Sequence, residues 1–155
     1  MVDPRIEPVA DPRIDLQNKI RNAIPVSDAM QFSIAELSSG SILVQAPLAP
    51  NVNIHGTGFA GSIYSIAVLA GWGLSTHIMD LLSMDGELVV SEAEIRYRVP
   101  VTGMIECRTV ASEAERKEFQ DSFINTGKGK LSLRIEVGDA PHAVLLGTFY
   151  AVSRA

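Results

Sequence analysis

The sequence has very few of the residues that support disulfide or metal chemistry. Cys107 is its only cysteine in 155 residues. A lone cysteine excludes an internal disulfide and a thiolate-rich metal site, so we expect no metal and a reduced, cytoplasmic setting. Residues 1–17 also lack the basic tip and apolar block of a secretory signal.

Clustered positive charge is missing as well. The 13 lysines and arginines are scattered among 18 acidic residues, and the formal net charge is −5. Because no basic run is present to neutralise a phosphate backbone, we do not expect nucleic acid to be a partner. A small phosphorylated ligand needs only two or three local cations and stays compatible with this composition.

Residues 56–79 contain no charge of either sign. The stretch is long enough to cross a bilayer. It also holds several glycines and the polar residues Ser62, Ser65, Ser75, Thr76 and His77. A helix that is apolar on every side can equally be the buried centre of a soluble fold, and the rest of the chain would lack a core without it. We therefore predict no membrane insertion and a central helix over residues 57–82.

The other elements follow from periodicity and turn residues. A first helix over residues 11–23 should end before Pro25, because the residue preceding a proline is pushed out of the helical region. We predict strands at 30–34, 41–46, 87–99, 104–111, 128–137 and 142–152, a proline-broken loop at 47–55, a turn at 85–86 and a helix at 113–125. Strands that follow one central helix favour an antiparallel α+β fold. We expect one domain over residues 1–155, with residues 1–10 peripheral.

The strand at residues 88–99 alternates between apolar and charged side chains. We predict that Val89, Ala93, Ile95, Tyr97 and Val99 share a dry face, and that Glu92, Glu94, Arg96 and Arg98 share a wet face. These charges can pair with Glu106 and Arg108 if the two strands are neighbours. The last strand is apolar on both faces, which predicts a central position or contact with a second subunit.

The segment Asn-Val-Asn-Ile-His-Gly-Thr-Gly-Phe-Ala-Gly-Ser-Ile-Tyr at residues 51–64, with Leu-Ala-Gly-Trp-Gly at 69–73, resembles a known family. It is similar to the entry of the central helix in hotdog-fold thioesterases of the YiiD C-terminal type. The resemblance extends from about residue 20 to the end of the chain. It implies a hotdog fold, in which an antiparallel sheet curls around the central helix.

The resemblance also implies a function and an assembly. Its members pair as a homodimer or a dimer of dimers, with the acyl-thioester pocket at the subunit interface near the start of the helix. The implied substrate is acyl-CoA or an acyl group on an acyl carrier protein (acyl-ACP), and no cofactor is expected. An apolar central helix and two-faced strands independently suggest that one chain cannot cover its own hydrophobic surface.

One departure from the family pattern affects the mechanism. Many hotdog thioesterases carry His-Gly-Gly at the helix entry and an acidic residue about two turns later. Here the stretch reads Phe59-Ala60-Gly61, and the acidic place falls near Val68. The alternative to hydrolysis is therefore a non-catalytic module that binds or senses acyl thioesters. A hotdog dehydratase would need a histidine with an acidic partner, which the sequence does not show.

Thioester hydrolysis requires an oriented water and donors for the developing oxyanion. Backbone N–H groups in the first turn of a helix are unpaired and favour negative charge, so we assign the oxyanion site to Ala60, Gly61 and Ser62. Asn53 can orient the water and His55 can accept its proton near neutral pH. The predicted catalytic residues are Asn53, His55, Gly61 and Ser62, and the predicted substrate-binding residues are Asn51, Thr57, Phe59, Ala60, Tyr64 and Tyr97. Alternatively, Asn51 and Asn53 cap the loop or the helix, and His55 is a hydrogen-bonded loop histidine without a catalytic role.

Three other patterns carry less weight. Residues 56–61 match a dinucleotide fingerprint, with Asp80 at the expected distance, but that motif needs a strand leading into its first glycine within a parallel unit. His77 and Asp80 stand one turn apart without a third metal ligand. The basic strand residues are either solvated or meet the phosphates of coenzyme A: Arg96, Arg98, Lys128, Lys130 and Arg134.

Overall fold

The computed structural model describes Arg5 and residues 10–154. The predicted peripheral segment therefore lies almost entirely outside the described residues. The helices are α1 (Pro12–Ala23), α2 (Pro25–Ala29), α3 (Ala60–Leu81) and α4 (Glu113–Thr126), with a 3₁₀ turn at Ala49–Asn51. The strands are β1 (Ser33–Leu37), β2 (Ser41–Ala46), β3 (Gly86–Tyr97), β4 (Ile105–Val110), β5 (Lys128–Val137) and β6 (Ala143–Ser153).

Local sequence signals explain where the surface helices begin and end. Asp11 caps α1 by accepting a hydrogen bond from the Arg13 amide, and the helix ends at Ala23, two residues before Pro25, as predicted. At the start of α4, Ser112 and Glu115 form a reciprocal capping box. Gly127 ends α4 with φ +77°, a left-handed conformation that glycine adopts without strain.

The six strands form one antiparallel sheet in the order β1-β2-β4-β5-β6-β3, and α3 contacts β2, β3, β4, β5 and β6. A single long helix held against an antiparallel sheet confirms the predicted architecture. We call the sheet surface that packs on α3 the inner face and the opposite surface the outer face. The parallel context that a dinucleotide fingerprint needs is absent, because the sheet contains no parallel pair among the strands of residues 33–153.

Helix α3 is the centre of the core. Thirteen of its 22 residues are buried, which explains why the segment carries no charge before Asp80. Gly71 permits the closest approach to the sheet, since a Cβ at this position would collide with the ring of Phe149 on β6. Over residues 10–154, no helix combines the length and hydropathy required to span a bilayer.

Several boundaries differ from the prediction. The central helix begins at Ala60, three residues later than predicted, because residues 52–58 form a closed loop. β1 begins at Ser33, since α2 and the turn at Gln31 occupy the preceding residues. The predicted turn at 85–86 already belongs in part to β3, which starts at Gly86.

The predicted faces of β3 are wrong at Val89, because a bulge between Val90 and Glu92 shifts the alternation by one residue. Val89 lies opposite Tyr150 on the outer face, whereas Val90 lies opposite Phe149 on the inner face. After the bulge the predicted faces are correct for residues 92–97, whereas Val99, predicted on the dry face, lies beyond the end of β3 and is 55% exposed. Ala93, Ile95 and Tyr97 face inward, and Glu92, Glu94 and Arg96 face outward.

The predicted ion pairs between β3 and β4 do not form, because the two strands are not neighbours. Among the described strands, β3 pairs with β6 alone, and Arg96 instead lies 3.6 Å from Glu94 of its own strand. β6 is an interior strand between β5 and β3, which confirms the central position predicted from its apolar residues.

The two edges of the sheet have different surroundings. At the β1 edge, Arg13 Nη1 donates to the Ile34 carbonyl at 2.8 Å, and Gln17 Oε1 accepts from the Ile34 amide at 2.9 Å. α1 therefore covers the β1 edge with side-chain hydrogen bonds. At the opposite edge, no strand in the described part of the chain pairs with the outer side of β3.

Candidate active site

The loop that precedes α3 is a small closed structure. Val52 and Gly58 form a β-bridge, and the Phe59 amide donates to the Asn51 carbonyl at 2.8 Å. The Gly58 amide donates to the Val101 carbonyl at 2.7 Å, which ties the loop to the segment after β3. Gly56, with φ +77°, turns the chain at the tip. These bonds hold residues 52–58 in one conformation at the entry of α3.

The side chain of Asn53 is fully engaged within this loop. Its Oδ1 accepts from the amides of His55 (2.9 Å) and Thr57 (3.1 Å). Its Nδ2 donates to Thr57 Oγ1 at 2.8 Å and to the Gly58 carbonyl at 3.4 Å. This geometry is the turn-capping alternative considered for Asn53, and it also positions His55 through its backbone.

Asn51 lies deeper, beneath the loop. It is 1% exposed, and its Nδ2 donates to the carbonyls of Met30 (2.9 Å) and Pro47 (2.8 Å). Its Oδ1 is buried without a hydrogen-bond partner in the described chain. Asn51 therefore anchors the base of the loop to the segment before β1, away from solvent.

The first turn of α3 presents unpaired backbone donors. Phe59 is the N-cap residue, with an extended backbone and no side-chain capping bond. The first bond of the helix is from the Ile63 amide to the Phe59 carbonyl, at 3.0 Å. Within residues 10–154, the amides of Ala60, Gly61 and Ser62 have no acceptor. Three donors and the positive end of the helix dipole thus favour a negative oxygen at this position.

The aromatic ring of Phe59 packs against this turn. A Cβ at Gly61 would lie 2.6 Å from Phe59 Cε1, so the glycine makes room for that ring. In the structure the space over its Cα is filled by Phe59, whose side chain is half exposed.

His55 lies on the exposed side of the loop, beside an open depression of about 690 Å³. The depression is lined by Val52, Asn53, Ile54, His55 and Phe59, most of whose exposed surface is apolar. The imidazole of His55 has no hydrogen-bond partner in the described chain, so both ring nitrogens are available to water or ligand. The depression reaches α3 through Phe59.

Two tyrosines flank the start of α3 on the side of β3. The Tyr97 hydroxyl donates to the Ala60 carbonyl at 2.7 Å, which joins the end of β3 to the first turn of the helix. Partial burial raises the pKa of Tyr97 above its ordinary value, and the nearby Tyr64 raises it further. The tyrosine is therefore a neutral hydrogen-bond donor at physiological pH. Tyr97 and Tyr64 are 48% and 37% exposed, and both leave aromatic surface uncovered.

The rest of the site lacks acidic and metal-binding groups. Val68 lies two turns into α3, half-buried, and the first acidic residue of the helix is Asp80. Over the described residues, no group of three His, Cys, Asp or Glu side chains could hold a metal ion. Cys107 is fully buried, and burial strongly raises the pKa of its thiol, so it is not a nucleophile.

Most of the predicted site residues thus lie in one region of the structure. Asn53, His55, Thr57 and Phe59 lie on one closed loop, and Ala60, Gly61, Ser62 and Tyr64 form the first turns of α3 that it leads into. Tyr97 joins them from β3, whereas Asn51 lies below the loop. Two residues of this region were not predicted: Val101, whose carbonyl accepts from the Gly58 amide, and Ile54, which lines the depression and is 95% exposed. Exposed apolar residues in a short loop were the available signal for Ile54.

A six-stranded antiparallel sheet around one long helix, with the helix start at a closed loop, defines a hotdog-fold protein. The chain belongs to the family described as "Putative thioesterase (yiiD_Cterm)", which it matches over residues 14–153.

Solved structures agree with this assignment. A Shewanella oneidensis protein described as a putative thioesterase is 35% identical, with a TM-score of 0.82, covering 91% of this chain and 97% of that one. A Chlorobaculum tepidum protein described as having unknown function is 28% identical, with a TM-score of 0.87, covering 92% and 94%. A Pseudomonas aeruginosa protein described as a probable thioesterase shares the fold at 21% identity, with a TM-score of 0.81, covering 91% and 95%.

Proposed function

We propose that this protein hydrolyses acyl thioesters carried by coenzyme A or by an acyl carrier protein. The observation that carries the proposal is the uncapped first turn of α3, where Ala60, Gly61 and Ser62 present three unpaired amides. Family membership supports the same reaction class. Unpaired donors that are fixed before the substrate arrives stabilise a developing oxyanion without reorganisation.

In the proposed mechanism, water attacks the thioester carbonyl directly. His55 accepts the proton of the water, while the carbonyl oxygen becomes negative and is bound by the α3 amides. The tetrahedral intermediate then collapses, the carbon–sulfur bond breaks, and the protonated His55 returns the proton to the leaving thiolate. The products are a carboxylic acid and a free thiol. No covalent acyl-enzyme is formed.

The remaining site residues hold this arrangement together in the proposal. Asn53 and Thr57 fix the loop so that His55 faces the depression, and Asn51 anchors its base. Phe59 offers an apolar surface to the acyl group or its carrier. Tyr97 and Tyr64 border the first turn on the β3 side, where they can contact bound acyl thioester.

We also propose that the protein acts as a homodimer. Beside the open β3 edge, Val90 and Tyr97 on the inner face and Tyr64 on α3 each leave more than a third of their surface exposed. Exposed aromatic and aliphatic surface of this kind favours association. A second copy would cover it and close the candidate site on the side of β3.

The second candidate is a non-catalytic acyl-thioester-binding module, which Val68 favours because it places an aliphatic residue where an acid is usual. Thiol release should be measured over a panel of acyl-CoA chain lengths and acyl carrier protein substrates. Hydrolysis above background by the wild type supports the enzyme. Saturable binding without turnover supports the module, and absence of both contradicts the proposal.

The role of His55 is tested with a matched histidine. Substitution His55→Ala should lower kcat by about a hundredfold or more, as expected when a general base is lost. His77→Ala is the control, because His77 is a half-buried residue near the opposite end of α3. Equal activity of the two variants would exclude His55 as the base.

A further inference from the structure

A second cavity lies toward the C-terminal end of α3, and we call it the far cavity. It has a volume of about 810 Å³ and is bounded by α1, the C-terminal half of α3, the turn that follows and the start of β3. This volume falls within the range of roughly 300–1,000 Å³ that small-molecule sites occupy. The buried and half-buried side chains that line the far cavity form its floor: Trp72, Thr76, Met79, Met84 and Leu88.

The far cavity is separate from the depression beside His55. The two have no lining residue in common. Thr76 follows Ala60, the first residue of α3, by sixteen positions, which corresponds to about 24 Å along the helix axis. A small molecule in the far cavity therefore does not reach the unpaired amides at the start of the helix.

Thr76 brings an unpaired hydroxyl to the floor. Ser65 and Ser75 of the same helix donate to the carbonyls four residues earlier, at 2.9 Å and 2.7 Å. Thr76 is only 7% exposed, yet its Oγ1 has no hydrogen-bond partner in the described part of the chain. Buried hydroxyls in folded proteins are nearly always paired, because an unpaired one loses its bonds to water without replacement. The unpaired Oγ1 thus indicates a partner from outside the chain.

The rest of the floor favours an aromatic body for that partner. Met79 and Met84 are buried, and their unbranched thioether side chains adapt to irregular shapes and contact aromatic rings favourably. Trp72 is half-buried and offers the face or edge of its indole to a second ring. A water at Thr76 would find few further polar partners on this floor, whereas a ligand hydroxyl brings an apolar body that fills it.

Charge is confined to the rim of the far cavity. The charged residues that line it are all exposed: Lys19, Asp80, Asp85, Glu87 and Arg154. Arg154 pairs with Asp85 at 3.0 Å, and the other three carry charges of both signs. A charged group brought down to the floor would lose its hydration without gaining a counterion. The far cavity therefore selects against an ionised group at the position of the Thr76 hydroxyl.

We propose that the far cavity binds an uncharged aromatic molecule that carries a hydroxyl group, a phenol or an aryl alcohol. Its ring packs against Trp72 and the thioethers of Met79 and Met84. Its hydroxyl bonds to Thr76 Oγ1, and the two groups are complementary because each can donate and accept. This site goes beyond the proposed function, and its occupancy does not depend on whether the protein hydrolyses thioesters.

Binding of para-cresol tests the location of the site. Trp72 is the only tryptophan of the chain, so its indole N–H gives a single NMR signal that reports on the far cavity. Titration of the wild type should shift this signal saturably and leave the amide signals of Ile54 and His55 at the depression unchanged. An unmoved Trp72 signal, or saturable shifts at the depression instead, would overturn the proposal.

The variant Thr76→Val tests the hydrogen bond. Valine keeps the branched shape and removes the hydroxyl, so the dissociation constant of para-cresol should rise about three- to tenfold. Ser75→Ala is the matched control, because Ser75 is the adjacent residue, bonds to Gly71 and does not line the cavity. It should bind para-cresol as the wild type does. Equal affinities of Thr76→Val and Ser75→Ala would exclude Thr76 as the partner of the ligand.

Two relatives of para-cresol test the chemical class. Toluene lacks the hydroxyl and should bind Thr76→Val at least as tightly as it binds the wild type. The anion para-toluate carries a charge in place of the hydroxyl and should bind the wild type about tenfold or more weakly than para-cresol does. Toluene binding that falls in Thr76→Val, or para-toluate binding as tight as that of para-cresol, would contradict an uncharged hydroxyl ligand. All these titrations are read without an acyl thioester, so their failure is distinct from an absence of hydrolysis.

Discussion

At one edge of the sheet, β1 is five residues long, contains a bulge and is covered by α1. At the other edge, β3 is twelve residues long, and no strand of residues 10–154 pairs with its outer side. Exposed edges invite pairing with other chains unless they are short, covered or charged. Residues of α1 therefore cover the β1 edge. The β3 edge has charged side chains and a bulge, but no covering element among the described residues.

This contrast depends on the helix that precedes the sheet. α1 is held by Leu16 and Ile20, which are buried close to Gly73 of α3. Its polar side carries Arg13 and Gln17 to the backbone of β1. The covering of β1 is therefore coupled to the core through α1.

The largest expected effect comes from loosening the cover of β1. Ile20→Ala should lower the free energy of unfolding by about 2–5 kcal/mol, because Ile20 is fully buried and its loss leaves a cavity. Chemical denaturation provides the measurement. Ile14→Ala, on the exposed side of the same helix, should change stability by less than about 0.5 kcal/mol. Comparable losses in the two variants would show that α1 is not anchored through Ile20.

A smaller effect is expected from the hydrogen bond that covers the edge itself. Gln17→Ala should cost about 1–2 kcal/mol, since the amide of the buried Ile34 loses its acceptor. Gln17→Glu keeps an acceptor oxygen and should lose less than half as much. If both variants unfold at the same denaturant concentration as the wild type, the bond does not protect the β1 edge.

At the β3 edge, a single hydroxyl should matter less. Tyr97→Phe removes the bond to the Ala60 carbonyl and should cost at most about 1 kcal/mol, because the side chain is half exposed. Tyr150→Phe is the control, as its ring lies on the outer face of β6 opposite Val89. Thermal or chemical unfolding should show a lower stability for Tyr97→Phe than for Tyr150→Phe. Identical stabilities would argue against a structural role for the Tyr97 hydroxyl.

The smallest effect concerns pH. Burial raises the pKa of Tyr97 in the folded protein, so the folded state keeps this proton to a higher pH than the unfolded state. The resulting stabilisation is complete below about pH 10, the ordinary tyrosine pKa, and is lost as pH rises through the folded pKa. Above pH 10 the free energy of unfolding should therefore fall more steeply with pH for the wild type than for Tyr97→Phe. The same pH dependence in both proteins would contradict this assignment.

Much of the fold was predictable because its signals are local. Strands β2 and β5 begin and end at the predicted residues, as alternating side chains and neighbouring turn residues mark them. Pro25 ended α1 through sterics that act on adjacent residues. The bulge at Ser91 was not predictable, because it depends on how β3 matches β6, a strand more than fifty residues later.

The candidate site shows the same division. Within the described chain, the side-chain bonds of Asn53 reach only to His55, Thr57 and Gly58, and turn-capping was accordingly one of two interpretations available from the sequence. Asn51 bonds to Met30, and Gly58 bonds to Val101. The residues of each pair lie too far apart in the sequence for a local motif to predict the contact. The catalytic and binding roles of these residues stay predictions that the proposed experiments test.

The amino-acid sequence by itself determined that residues 60–79 form a buried helix, because a charge-free segment finds its lowest free energy inside a core. It also determined the order of charges along β3. Only the tertiary structure decided that β3 pairs with β6, that Phe59 fills the space over Gly61, and that one sheet edge is covered while the other is open. Strand order and edge exposure arise when distant segments compete to bury the same apolar surface. The periodicity of one segment therefore does not predict them.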